Sequence, residues 1–211
     1  TPNDQADLYS LINQFKQKAG YISDNNTLGK ELPSKNLDVK ELNNIMSALR
    51  GIKTPEEIEL LRKAVFISTV GQVEVMKAMK PGMSETEIQG IHEYVFKKYG
   101  SEYEGYPSIV GAGNNGCILH YIENEKPHIE SKEMILMDLG AEYHGYTADV
   151  TRTIPIDGKF SPEEKAIYDL VLKAQDVTIK MSKPGTTFSE VTAKAREIIN
   201  EGLAELGIIS S

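Results

Sequence analysis

The chain has 211 residues, 40% apolar and 26% charged, enough for one sizeable core or for one domain plus part of another. A formal net charge of −8 argues against nucleic acid or an anionic membrane as the main partner. The single cysteine, Cys117, excludes an intramolecular disulfide framework and fits a reducing, cytoplasmic compartment; no run is apolar enough to span a bilayer, and no signal-peptide pattern is present.

Residues 1–50 read as helix, loop, helix. Leu8, Leu11, Ile12 and Phe15 make one apolar stripe at helical spacing, and Leu42, Ile45, Met46 and Leu49 make a second. Between them, Gly20 to Lys35 is polar and turn-rich. This region has too few apolar residues for a core of its own. It is expected to be the end of a preceding domain and its linker (1–50), with the main domain over 51–211. The chain opens on Thr1-Pro2-Asn3 rather than Met and stops just past a helical pattern, so it reads as a fragment of a longer protein.

Thr54-Pro55-Glu56-Glu57 then opens a long helix, with Thr54 at the N-cap, Pro55 in the first position and Glu57 closing a capping box. The helix is expected to run to about Met79 and stop at Pro81-Gly82. Ser84 and Glu87 form another capping box, for a helix reaching Lys97-Lys98. A β-rich block follows: a short strand at Tyr106–Val110, a turn-rich loop at Gly111–Gly116, and a second strand at Ile118–Ile122. Gly111, Gly113 and Gly116 spell G-x-G-x-x-G, but a dinucleotide site needs a helix to begin there. The glycines are better read as permitting a tight turn. His120 falls in the second strand, either as a satisfied structural residue or as a donor to substrate or to a developing oxyanion. His144, His92 and His128 are expected at the surface, and Cys117 as a small buried residue.

From Met134 to Pro155 the chain reads as a β-hairpin: an apolar arm, a Tyr-His-Gly-Tyr tip, and a Thr/Val/Ile-rich return. Each arm carries one carboxylate, Asp138 and Asp149. A turn centred on Tyr143-His144 opposes the two directly. A turn centred on His144-Gly145 sets Asp138 against Thr151 and makes Asp149 its diagonal neighbour. Either way both side chains share a face. Two carboxylates so close are poorly matched to joint ionisation without a cation, and a divalent metal is the natural partner. The plain alternative is a pair of strand-end aspartates satisfied by backbone N–H groups.

After the hairpin the opening pattern returns. Ser161-Pro162-Glu163-Glu164 repeats Thr54-Pro55-Glu56-Glu57, Lys183-Pro184-Gly185 repeats Lys80-Pro81-Gly82, and Thr187 with Glu190 repeats the second capping box. The offset of roughly a hundred residues is too long for a solenoid and points to duplication with pseudo-twofold symmetry. The first copy continues into strands and the second does not. No histidine follows Asp149, and no later glutamate has strand context, so only part of a hydrolytic metal shell is present.

Asn115 to Glu125, Met137-Asp138-Leu139-Gly140-Ala141-Glu142-Tyr143 and Gly145 to Thr153, with Ala48 to Ile58 upstream, resemble the aminopeptidase P (Xaa-Pro aminopeptidase) branch of the pita-bread metallopeptidases. The resemblance implies a pseudo-symmetric α/β (α+β) pita-bread fold, truncated in its second half and preceded by the tail of an N-terminal domain. It implies a hydrolase for peptides with proline at the second position, acting through water activated by two divalent metals. Manganese is the family's usual metal, with cobalt or zinc as alternatives. Asp138 would bind one metal and Asp149 bridge both. His120 would contact substrate and stabilise the intermediate, Tyr106 would stand near the metals, and Thr151 would support the bridging aspartate. Family members bring further ligands in a second half, so this chain alone is expected to be inactive and to bind metal weakly. The alternatives are a prolidase-like dipeptidase and a non-catalytic peptide-binding pita-bread module. A homo-oligomer is compatible with the resemblance, and a nucleic-acid or membrane partner is not expected.

Overall fold

The computed structural model describes residues 39–210. The chain divides into two compact units, Thr1–Glu59 and Leu60–Ser211. In the first, the stripe of Leu42, Ile45, Met46 and Leu49 lies on helix α1 (Val39–Gly51). The expected helix through Leu8 and Phe15 and the loop after it lie outside the described residues. Helix α2 (Pro55–Ala78) opens as its cap predicts: the Glu57 N–H donates to Thr54 Oγ1 at 3.3 Å, and Glu57 Oε2 accepts from the Thr54 N–H at 2.6 Å.

In the second unit, helix α3 (Glu85–Lys98) has a full capping box at Ser84. Strands β1 (Ile109–Ala112), β2 (Met134–Leu139) and β5 (Val150–Pro155) form an antiparallel sheet in the order β1-β2-β5. A small hairpin, β3 (Glu142–Tyr143) and β4 (Tyr146–Thr147), extends β2 and β5 outward. On β2, Ile135, Met137 and Leu139 are buried while Met134, Leu136 and Asp138 are half-buried. The buried face packs with Ile67 and Val75 of α2 and Ile88 and Phe96 of α3 into one apolar cluster. Gly71 permits the close helix contact there, since a Cβ would fall 2.6 Å from the Phe96 ring.

The internal repeat is visible as structure. Helices α4 (Pro162–Met181) and α5 (Phe188–Glu205) start in capping boxes at Ser161 and Thr187. The Lys-Pro-Gly turns joining α2 to α3 and α4 to α5 both place their glycine at φ 94°, at Gly82 and Gly185. Leu170, Ala174 and Ile198 form the core of the second pair, where Gly202 lets Leu170 approach.

Four expectations are corrected. Ile118–Ile122 is a turn followed by irregular chain, not a strand, because His120 (φ 54°) and Asn124 (φ 47°) are left-handed. The strand expected from Tyr106 begins only at Ile109 and takes in Gly111 and Ala112. His92 is wholly buried, since it stands one helical turn from Ile88 and Phe96 on the inward face of α3. Cys117 is exposed, at the end of a 3₁₀ turn over Gly113–Cys117. That turn is not an α-helix, so the G-x-G-x-x-G does not open a nucleotide site. Its glycines permit close packing instead: a Cβ on Gly111 would meet the Gly116 nitrogen at 2.8 Å.

Candidate metal centre

The hairpin turn decides how the aspartates meet. His144 (φ 50°) and Gly145 (φ 83°) occupy the two central positions of the turn, and Tyr143 pairs with Tyr146. Positive φ at both central positions is the arrangement that follows strand twist in a two-residue hairpin. Asp138 therefore faces Thr151, and Asp149 is its diagonal neighbour. Between the ladders, Gly140 and Ala141 cross Ala148 and Asp149 at close range. A Cβ on Gly140 would stand 1.8 Å from the Ala148 carbonyl oxygen and 2.8 Å from the Tyr106 ring, so only glycine fits.

Tyr106 joins the two carboxylates. Its hydroxyl is 2.6 Å from Asp138 Oδ1 and 3.2 Å from Asp149 Oδ1. A phenol has one proton, so it donates mainly to Asp138 and leaves Asp149 weakly served. Burial first, then the hydrogen bond and charge of Asp138, push the Tyr106 phenol well above its ordinary range, so it stays protonated. The chain before Tyr106 is fixed to the hairpin: the Gly105 N–H donates to Gly140 O at 2.8 Å, and Glu104 bridges Ala141.

Two helical residues grip the hairpin from its buried side. Gln72 Nε2 donates to Met137 O at 3.1 Å and Val150 O at 2.8 Å, the carbonyls beside Asp138 and Asp149. Ser68 Oγ accepts from the Ala141 N–H at 2.8 Å. Both were missed in the sequence. Their signal was there, as polar residues among Ala64, Ile67, Gly71 and Val75 on one face of α2.

Thr151 sits across from Asp138, exposed, and lines a groove of about 920 Å³ together with Thr153 and with Ile167, Val171 and Gln175 of α4. His120 stands on an exposed turn. No hydrogen bond among the described residues joins Thr151 or His120 to the carboxylates. His144, at the tip, pairs with Glu102 at 2.7 Å. Among the described residues, no group of three His, Cys, Asp or Glu side chains gathers into a metal-sized cluster. The Asp138–Asp149 pair supplies hard oxygen donors suited to a divalent cation, and it supplies part of a ligand set.

The sequence model of metallopeptidase family M24 matches residues 59–208. The chain belongs to this family. It is 40% identical over 165 residues to the Xaa-Pro aminopeptidase of Escherichia coli (strain K12), a match covering 78% of this chain and 37% of the relative. The Haemophilus influenzae Xaa-Pro aminopeptidase is 38% identical over 165 residues, with 78% and 38% covered. Among solved structures, proline aminopeptidase P II from Yersinia pestis superposes with a TM-score of 0.78 at 40% identity, covering 80% of this chain and 38% of that one. The mixed α/β architecture thus matches the pita-bread fold of aminopeptidase P, and the chain spans less than two fifths of these relatives' length.

Proposed function

We propose that the whole protein carrying this chain is an Xaa-Pro aminopeptidase, hydrolysing the peptide bond before a proline in second position. The observation that carries this reading is the pairing of Asp138 and Asp149 on one Tyr106 hydroxyl, in a chain of the M24 family. Asp138 and Asp149 would contribute to holding two divalent metals, with manganese as the expected ion. The solved structure of zinc-substituted Escherichia coli aminopeptidase P in complex with product (TM-score 0.75, 40% identity, covering 77% of this chain and 37% of that one) supports zinc as an alternative ion. Metal held there supplies Lewis acidity and lowers the pKa of water.

The chain's own residues do the rest. Gln72 and Ser68 fix the backbone on which the aspartates stand. Tyr106 keeps the Asp138 carboxylate oriented. His120 donates a hydrogen bond to substrate or to the developing oxyanion, and Thr151 stands beside the carboxylates where the groove begins. The cytoplasm is the proposed location, supported by the single cysteine; the name of one Arabidopsis thaliana relative, Intermediate cleaving peptidase 55, places that protein in the mitochondrion. None of the described helices is long and apolar enough to cross a membrane.

The test is turnover of an Xaa-Pro peptide with added manganese, by the whole protein and by the 211-residue chain. The whole protein should cleave, Asp138→Asn and Asp149→Asn should each abolish cleavage, and the short chain should be inert. Failure of the whole protein to cleave the peptide, or its indifference to both substitutions, would sink the reading; ordinary turnover by the short chain would sink only the expected inactivity of that chain.

A further inference from the structure

The segment between β1 and β2 that carries His120 is anchored on one buried carboxylate. Glu85, the first residue of α3, is fully buried. Its Oε1 accepts from the Ala112 N–H at 2.7 Å and from Asn115 Nδ2 at 3.1 Å. Its Oε2 accepts from the Tyr121 hydroxyl at 2.8 Å and from the Lys126 N–H at 2.9 Å. Ala112 and Lys126 flank residues 113–125 of that segment, and Asn115 and Tyr121 lie within this stretch. The two inner arms also meet, with Asn115 Nδ2 2.9 Å from the Tyr121 oxygen.

A charge buried this deeply is costly unless hydrogen bonds compensate it, and four donors do so here. The first turn of a helix adds the favourable end of the backbone dipole. An apolar side chain would fill the same volume without that cost. What the carboxylate adds is a fixed path for the excursion. His120 itself is exposed, has no hydrogen-bond partner among the described residues, and sits at φ 54°. The next residue, Tyr121, is buried and tied to Glu85. The backbone from which the imidazole projects therefore stands where the Tyr121 anchor puts it.

We infer that Glu85 is a positioning residue for His120, setting the place of the imidazole through Tyr121 and Asn115; the inference rests on the proposed contact between His120 and substrate. In Glu85→Gln one oxygen becomes an NH₂ that must face N–H donors, so one side of the hub is lost with little change of volume. Tyr121→Phe removes the arm to Glu85 together with the oxygen that accepts from Asn115 Nδ2 and the Glu125 N–H, and serves as the second variant if Glu85→Gln does not fold.

Each is measured in the whole protein with an Xaa-Pro peptide, in the His120 background and in the His120→Ala background. The expected result is a fall in kcat of roughly tenfold or more with His120 present, KM moving less, and under about twofold change in His120→Ala. Equal losses in both backgrounds would overturn the inference, since Glu85 would then support the core without acting through His120. If His120→Ala alone turns over normally, it is the substrate contact that fails. Positioning is then decided by the imidazole NMR signal of His120: a shifted or broadened signal in Glu85→Gln, with that of His128 unchanged, supports it, and an unchanged His120 signal overturns it.

Discussion

His92 makes stability depend on pH in a window that can be worked from the structure. Its ring is buried between helices α2 and α3, with Nδ1 3.2 Å from Ile88 O and Nε2 without a partner. The carbonyl takes the proton on Nδ1, and burial with no partner at Nε2 keeps the ring neutral. Burial lowers the pKa from 6.5 to about 4, against a smaller opposing effect of the Ile88 carbonyl. Between those values the unfolded chain binds a proton that the folded chain refuses. The contribution is therefore complete above pH 6.5 and is lost as pH falls toward 4. At 1.36 kcal/mol per unit, a drop from pH 7.5 to 4.5 should remove about 2 to 3 kcal/mol. Carboxylates titrate in the same range, so the measurement is a difference. Urea unfolding of wild type and His92→Leu at both pH values should show wild type losing that much more than the variant. An imidazole NMR titration should put the His92 pKa near 4. A difference between the two proteins below about 0.5 kcal/mol, or a His92 pKa near 6.5, would refute the reasoning.

Other substitutions test how the hairpin is held. Gln72→Leu removes the amide that both carbonyls beside the aspartates accept from in addition to their strand pairing, and should cost about 1 to 3 kcal/mol in denaturant melts; a cost under about 0.5 kcal/mol would deny the grip. Gly140→Ala should destabilise by about 3 kcal/mol or more, because its Cβ would overlap the Ala148 carbonyl; a near-neutral variant would show that the strands can part. Tyr106→Phe leaves the paired carboxylates without a shared proton donor. In metal-free protein at neutral pH it should lower stability by about 1 to 2 kcal/mol, and added manganese should recover part of that. An unchanged midpoint with and without metal would argue against a shared cation.

The sequence was most legible where the governing interactions are local. Each capping box closes within three residues, and both Lys-Pro-Gly turns rest on one glycine at positive φ, so helix starts and the repeat could be read directly. Side-chain alternation likewise put Asp138 and Asp149 on one face under either register. The strand expected through His120 failed because its β-rich composition is overridden by side-chain bonds from Tyr121 and Asn124 to distant groups. His92 failed because its polarity was weighed above its spacing, which sets it one turn from Ile88 and Phe96 on the inward face.

What the sequence determined by itself was the set of caps, turns and alternating strands, and with them a shared face for two carboxylates. The tertiary structure alone decided that the turn centres on His144-Gly145 and that Tyr106 reaches both aspartates. It also decided that Gln72 grips carbonyls 65 and 78 residues away. Those outcomes depend on which distant groups must satisfy one another once water is excluded, and no periodicity along the chain records that choice.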